Sequence, residues 1–509
     1  MRFKPFVGVL LLCVSLLRAE EPVAQALKVP AIIGSNMVLQ QDVPVPIWGF
    51  AAAGEQVTVK FRGQTKQATA GANGKWMVKL DPLKPADPSE MTISGKTTIS
   101  LTNILVGEVW LCSGQSNMEW SLRNSQDPEK YAAEAKYPSI RLFTVQKRNT
   151  DEPVTDVKGQ WVECTSESVM NFSAVGYHFG RELHQTLGVP VGLINSSWGG
   201  TPVEAWTAKR FVENDPEQKR LLEQYPKRVQ EYNERKAAHE KAVAEYRVAA
   251  AEAKEEGKPA PQAPGNAPWF APGPTQLYNG MIAPLVPYAI RGAIWYQGES
   301  NAGNASGYQR QFPAMIRNWR EDWGYEFPFL FVQLANFMEP KDQPEESAWA
   351  ELREAQLMTL SLPKTGMAVI IDIGEAKDIH PKNKQDVGHR LALSAQKVAY
   401  GKDVVHSGPI FDSMNVEGDR VRLSFKHAGS GLVAKDGDTV KGFAVSGEDK
   451  KFVWADAKIE GNTVVVSSKD VPKPVAVRYA WANNPEANLY NKEGLPASPF
   501  RTDDWKRKQ

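Results

Sequence analysis

Between Glu108 and Gly401 short apolar runs alternate with helical stretches, and this rhythm restricts the fold more than any other feature of the chain. The runs "EVWLC", "RLFTV", "VGLIN", "RGAIWY", "PFLFVQLANF" and "GMAVIIDIG" are almost continuously apolar, as strands buried on both faces are. Between them lie "AVGYHFGRELHQTLG", "YQRQFPAMIRNWREDWG" and "WAELREAQLMTLSLP", which read as helices. Alternation of this kind implies a parallel sheet covered by helices on both faces. In such sheets the working residues gather at the carboxyl ends of the strands.

The flanks have a different texture. From Val29 to Val106, "VPVPIWGF", "QVTVKF", "KWMVKL" and "TTISLTNILV" are separated by turn material such as "AAAGE" and "AGANG". That pattern predicts a small β-sandwich over 29–106. After Gly401, "DRVRLSF", "GFAVS", "KFVWAD", "NTVVVSS" and "AVRYAW" predict a second β-rich unit over 403–509, which leaves 107–402 for the α/β domain. One segment breaks the α/β rhythm. Pro226 to Gly257 is rich in Ala, Glu and Lys and reads as a solvated helical arm, with His239 a surface residue. The Pro-rich "KPAPQAPGNAPWFAPGP" follows as an extended linker, and the whole insertion spans 212–275.

The N-terminus reads as an address. "MRFKPF" is basic, "VGVLLLCVSLL" is apolar but too short for an ordinary membrane span, and Ala19 precedes Glu20 and Glu21. A signal peptide over 1–19 is expected, with a secreted or periplasmic product that keeps no membrane anchor after cleavage. Cys112 and Cys164 then remain. They are open either to pairing in an oxidising compartment or to life as buried thiols. A net charge of +1 gives no electrostatic case for nucleic acid or an anionic membrane as partner.

Polar clusters follow four of the strand candidates. The first is "SGQSNM" with Gln115 and Ser116; the second is "NSSWGGTPVEAW" with Gly200; the third is "QGESN" with Gln297, Glu299 and Asn301; the fourth is "DIHPKN" with Asp378 and His380. Acyl transfer needs this inventory. A serine becomes a nucleophile when a histidine takes its proton and a carboxylate holds that histidine in the right tautomer, while N–H donors face the oxyanion. Ser116, His380 and Asp378 can supply the first set; the Ser116 N–H, Gly200 and Asn301 can supply the donors.

At these residues the sequence resembles the sialate O-acetylesterase family of SGNH-type hydrolases, through "GQSNMEW", "INSSWGGTPVEAW", "WYQGESN" and "DIHPKNKQDVGHRLA". Related acetylesterases act on plant polysaccharides. The resemblance spans most of the chain. It implies an α/β fold with a flavodoxin-like three-layer α/β/α SGNH core, flanking β-sandwich-like domains, no metal, no cofactor, and removal of acetyl groups from O-acetylated carbohydrates. It makes Ser116 the nucleophile, His380 the base and Gly200 an oxyanion donor. Two departures mark the chain: Glu299 and Ser300 stand between Gly298 and Asn301, and Asp378 precedes His380 by two residues instead of three. Glu299, Asp372, Glu375 or a backbone carbonyl therefore stand beside Asp378 as candidates to orient His380.

Gln115, Gln297 and Glu299 are expected to touch substrate or to brace these loops. Arg353 in "ELREAQ" is read either as a clamp for a substrate carboxylate or as a helix-surface partner of Glu351 or Glu354. Trp198, Trp206 and Trp295 are open to lining a sugar site or to core packing. Three other readings stand beside an acetylesterase of sialic acid: an acetylesterase of xylan or xyloglucan, a lipase or thioesterase, and a non-catalytic carbohydrate-binding protein. A lipase lid should carry an apolar face, whereas Pro226 to Gly257 is largely charged.

Overall fold

The computed structural model describes residues 26–505, so the expected leader at 1–19 lies outside them. Its centre is a mixed sheet. The strands are β1 (Thr98–Gly114), β2 (Tyr137–Thr144), β3 (Trp161–Cys164), β4 (Val191–Ser197), β5 (Gly292–Tyr296), β6 (Phe329–Gln333) and β7 (Thr365–Val369). Across the sheet they run β7-β6-β5-β1-β4-β2-β3. All neighbours are parallel except β3, which closes the edge antiparallel to β2. Counted along the chain, the six parallel strands β2-β4-β1-β5-β6-β7 have the order 2-3-1-4-5-6, which reverses direction beside β1. That reversal opens a crevice at the carboxyl end of β1.

Helices cover both faces. Cys112 of β1 meets Gly176 of α2 (Ala174–Leu187), where an added Cβ would stand 3.1 Å from the thiol sulfur. Trp295 of β5 is in register with Ser113 and so points the other way. There it meets Phe312 and Trp319 of α4 (Ala305–Trp323) at centroid distances of 6.2 and 5.8 Å. A further helix packs beside each: α6 (Lys384–Val398) against α2, and α5 (Ala348–Met358) against α4. Trp206 and Trp295 are core residues.

The N-terminal strands behave as alternation predicts. Gln56–Phe61 and Lys75–Leu80 bury every second side chain. The expected boundary at 106/107, however, falls inside one continuous strand. β1 pairs antiparallel with Ser89–Ser94 through its first half and parallel with β4 and β5 through its second. One buried apolar cluster accordingly joins the N-terminal strands to the α/β core, while the C-terminal strands from Ile410 onward enclose a second cluster, Val421 to Phe500.

The helical arm, α3, runs from Pro216 to Glu255, ten residues longer at its start than the sequence reading. Asp215 caps it, its carboxylate accepting from the Glu217 and Gln218 N–H groups, with Pro216 in the first turn. Pro226, read from sequence as the start, sits inside the helix, where it removes one backbone hydrogen bond. Cys112 and Cys164 are both free and buried, and burial pushes the Cys164 thiol up to about 12.

Candidate active site

Four loops meet where β1, β4, β5 and β7 end. The last residue of β1, Gly114, leaves no room for a side chain: φ is +137° and a Cβ there would lie 2.2 Å from the Tyr296 carbonyl oxygen. The chain turns into the short helix α1 (Ser116–Glu119), with the Gln115 N–H bonded to the Tyr296 carbonyl at 3.0 Å. Ser116 is thus the first residue of a helix. Its N–H has no intrahelical acceptor by position and takes no backbone partner among the described residues.

The fourth loop brings His380 to it. Ser116 Oγ and His380 Nε2 are 2.9 Å apart. The Asp378 carboxylate accepts from the His380 backbone N–H at 2.9 Å, and the same oxygen is 3.4 Å from Nδ1. The other acids weighed from sequence are spent elsewhere. Asp372 forms a bidentate pair with Arg390 at 2.6 and 2.8 Å. Glu375 accepts from the Lys382 N–H, and Glu299 from Asn117 Nδ2 at 2.6 Å. Of these four carboxylates, Asp378 is the one beside the imidazole. Burial holds the His380 imidazole below its usual pKa; Asp378 opposes that shift and Lys384 adds to it.

Beneath this pair lies a network in which Glu299 braces the nucleophile loop, one of the two roles expected of it, through residues that the sequence reading did not single out. The Asn117 side chain donates to Glu299 and to the Ile379 carbonyl, and accepts from Lys384 Nζ. It therefore clamps the nucleophile turn to the third loop and to the residue before His380. Lys384 is fully buried. Burial lowers its pKa to about 7 against the pull of Glu299, Asp378 and Glu375, and its ammonium lies over the rings of Trp120 and Tyr296. Trp120 in turn stacks on His380, with centroids 4.6 Å apart. Asn117, Trp120 and Lys384 stand inside the motifs "GQSNMEW" and "DIHPKNKQ"; a polar or cationic residue next to a nucleophile or base was the available signal.

The second and third loops carry the remaining candidates. Gly199 packs on Ser116, and its N–H donates to Glu119 at 2.7 Å. Gly200 has φ of +72°, and its N–H takes no partner among the described residues. Gln115 Oε1 accepts from the Ser300 N–H at 3.2 Å, which ties the first loop to the third. Gln297 donates to the Thr201 carbonyl and to Asn301 Oδ1 at 2.6 Å. Asn301, expected among the oxyanion donors, has its amide engaged within the second and third loops. Its Nδ2 donates to Glu204 at 3.1 Å while its Oδ1 also accepts from the Val203 N–H. A half-buried carboxylate is steadied by such a donor, and desolvation raises the Glu204 pKa.

Arg353 is elsewhere altogether. It is fully buried and donates to the carbonyls of Leu334, Ala335, Ala482 and Asn483 at 2.7–2.9 Å. It is neither a substrate clamp nor a surface ion pair, because it has no exposed surface and all three of its nitrogens donate to backbone carbonyls; Glu354 pairs with Arg501 instead.

Outside the pair, Trp120, Asn124, Thr144, Gln146, Asn171 and Asn195 help to line a cleft of about 600 Å³. Lys147 also lines it, held by Glu119 and lying over Trp198. Among the described residues no group of His, Cys, Asp and Glu is placed to hold a metal ion.

A serine–histidine pair at the carboxyl edge of a parallel sheet, opening on a polar cleft, marks the class: a carboxylic ester hydrolase. The family model described as carbohydrate esterase, sialic acid-specific acetylesterase, matches residues 106–245 and 263–397, and the chain belongs to that family. It is 32% identical to the sialate O-acetylesterase of Rattus norvegicus, over 97% of each chain. To that of Homo sapiens it is 30% identical, over 95% of this chain and 94% of the other. A carbohydrate acetylesterase from Xanthomonas citri has a solved structure that superposes with a TM-score of 0.81. That chain is 40% identical, and the match covers 94% of this chain and all of the other.

Proposed function

We propose that this chain is a secreted or periplasmic serine esterase that removes O-acetyl groups from carbohydrates through an acyl-enzyme, on an SGNH-type, flavodoxin-like α/β/α core flanked by β-rich units. The observation that carries the reading is the 2.9 Å contact of Ser116 Oγ with His380 Nε2 at the mouth of the polar cleft. His380 takes the hydroxyl proton as Oγ bonds to the acetyl carbon. The oxyanion accepts from the N–H groups of Ser116 and Gly200. The imidazolium then gives its proton to the departing sugar oxygen, and water repeats the cycle on the acyl-serine. Asp378 orients the imidazole; Gln115, Gln297, Glu299 and Asn301 hold the loops in register.

A neutral acetylated glycan, of the kind plant polysaccharides provide, is the second reading beside a sialoside, and two observations speak for it. Arg353 is spent on backbone, and Lys147, the cation lining the cleft, is already paired with Glu119. Acetate release from acetylated hemicellulose oligosaccharides and from acetylated sialosides tests both. Release from the first and not the second supports the neutral reading; the reverse restores the sialoside. No release from either, or release that survives Ser116→Ala, defeats the proposal and leaves a carbohydrate-binding protein.

A further inference from the structure

The segment 258–274, read from sequence as a linker, brings a tryptophan to the active site. A Cβ built at Gly200 would stand 2.9 Å from Cη2 of Trp269, so the indole lies directly on this glycine. Gly200 is adjacent to Gly199, which packs on Ser116. Yet Trp269 remains 61% exposed, among the most exposed large apolar side chains of the described chain. Burying an indole is strongly favourable, and Trp206 and Trp295 are buried within the core. An indole left open beside a catalytic loop has surface available to a ligand.

The placement is enforced from both sides. Phe270 stacks between Tyr225 and Tyr232 of the arm helix at 5.5 and 4.9 Å, under the Arg228 guanidinium. Five residues on, the Thr275 N–H is bonded to the Glu204 carbonyl at 2.9 Å, and Tyr225 OH donates to Gln276 Oε1. Pro272 and Pro274 stiffen the strap between these anchors, and Pro264 and Pro268 stiffen its approach to Trp269. The long charged arm thus has a mechanical role: its base holds Phe270, and Phe270 fixes Trp269.

We propose that Trp269 is the stacking surface for the sugar ring that carries the scissile acetyl group, and that the arm helix and its strap are a specificity element. The C–H groups of a pyranose form an apolar face that an indole matches in size, while the ring hydroxyls turn to the amides of the cleft. The inference rests on the proposed carbohydrate esterase activity. It adds that recognition of the ring depends on a segment outside the four catalytic loops.

The test compares an acetylated glycoside with ethyl acetate, an ester that has no ring to stack. The readout is the ratio of kcat/KM for the two. Trp269→Ala is expected to lower this ratio about tenfold or more, mostly through the KM of the glycoside, as the loss of one stacked aromatic implies. Trp269→Tyr, which keeps an aromatic face, should recover most of it, and Phe270→Ala should fall between. An equal loss on both substrates, or a ratio within about threefold of wild type, overturns the proposal. A wild-type protein that cleaves ethyl acetate but no acetylated glycoside defeats the carbohydrate reading itself, a distinct outcome.

Discussion

His380 has to be neutral to accept the Ser116 proton, so kcat/KM should rise with pH as the imidazole loses its own proton. The midpoint is expected below 6.5, because burial first, and Lys384 after it, outweigh the carboxylate of Asp378. A rate profile flat from pH 4.5 to 8, or a midpoint above 6.5, would contradict this. His380→Ala should lose about a thousandfold or more in kcat. At Asp378 the structure narrows a choice the sequence left open. Its carboxylate touches both the backbone N–H of His380 and, at 3.4 Å, Nδ1, whereas Glu299 is bonded to Asn117. Asp378→Asn is therefore expected to lose at least about a hundredfold in kcat with little change in KM, the signature of a misoriented imidazole. If that variant stays fully active while Glu299→Gln collapses and remains folded, the orienting group has been misassigned.

At the level of elements, the site is a junction of turns, and α6 matters through its first residue. Lys384 begins that helix, bonds Asn117 and lies over Trp120, the ring stacked on His380. Removing its charge removes one of the influences that hold His380 down, so Lys384→Met should move the acid limb of the kcat/KM profile upward. Stability should respond as well. Burial holds the folded pKa near 7 against an ordinary 10.5, so between those values the unfolded chain binds a proton the folded chain has lost, and wild-type stability rises with pH. The difference in Tm between variant and wild type should therefore shift in favour of wild type from pH 7 toward 10; a constant difference would mean that Lys384 does not titrate there. The strands that carry the loops were legible in sequence because buried parallel strands are short and uniformly apolar. Ser116 and His380 were legible because each follows such a strand in a polar turn. Asn301 and Arg353 were not, since an amide or guanidinium reads alike whether its partner is a ligand or a carbonyl distant in sequence. Trp269 was hidden for a similar reason: a Pro-rich stretch specifies an extended backbone but not the surface it lies against.

Across the whole molecule two apolar cores have to be joined, and Arg353 is one of the joints. The N-terminal strands need none, because β1 runs through both regions and their buried side chains form one cluster. The C-terminal unit has its own core, and its Ala482 and Asn483 carbonyls accept from Arg353, whose remaining donors hold Leu334 and Ala335 at the end of β6. No carboxylate bonds this guanidinium among the described residues, and burial lowers its pKa to about 9, so it is still charged at neutral pH. Arg353→Met should cost about 3–5 kcal/mol, because it strips carbonyls of charge-assisted donors inside the protein. Arg353→Lys should recover only part of this, since an ammonium cannot reproduce the planar fork. Thermal unfolding of the Met variant is expected to fall and to split, with the C-terminal strands released before the α/β core. Below that transition, KM for neutral and for carboxylate-bearing substrates should move together. Were Arg353 a substrate clamp instead, Tm would hold and KM would rise for the carboxylate-bearing substrate alone; that outcome would overturn the structural role argued for it.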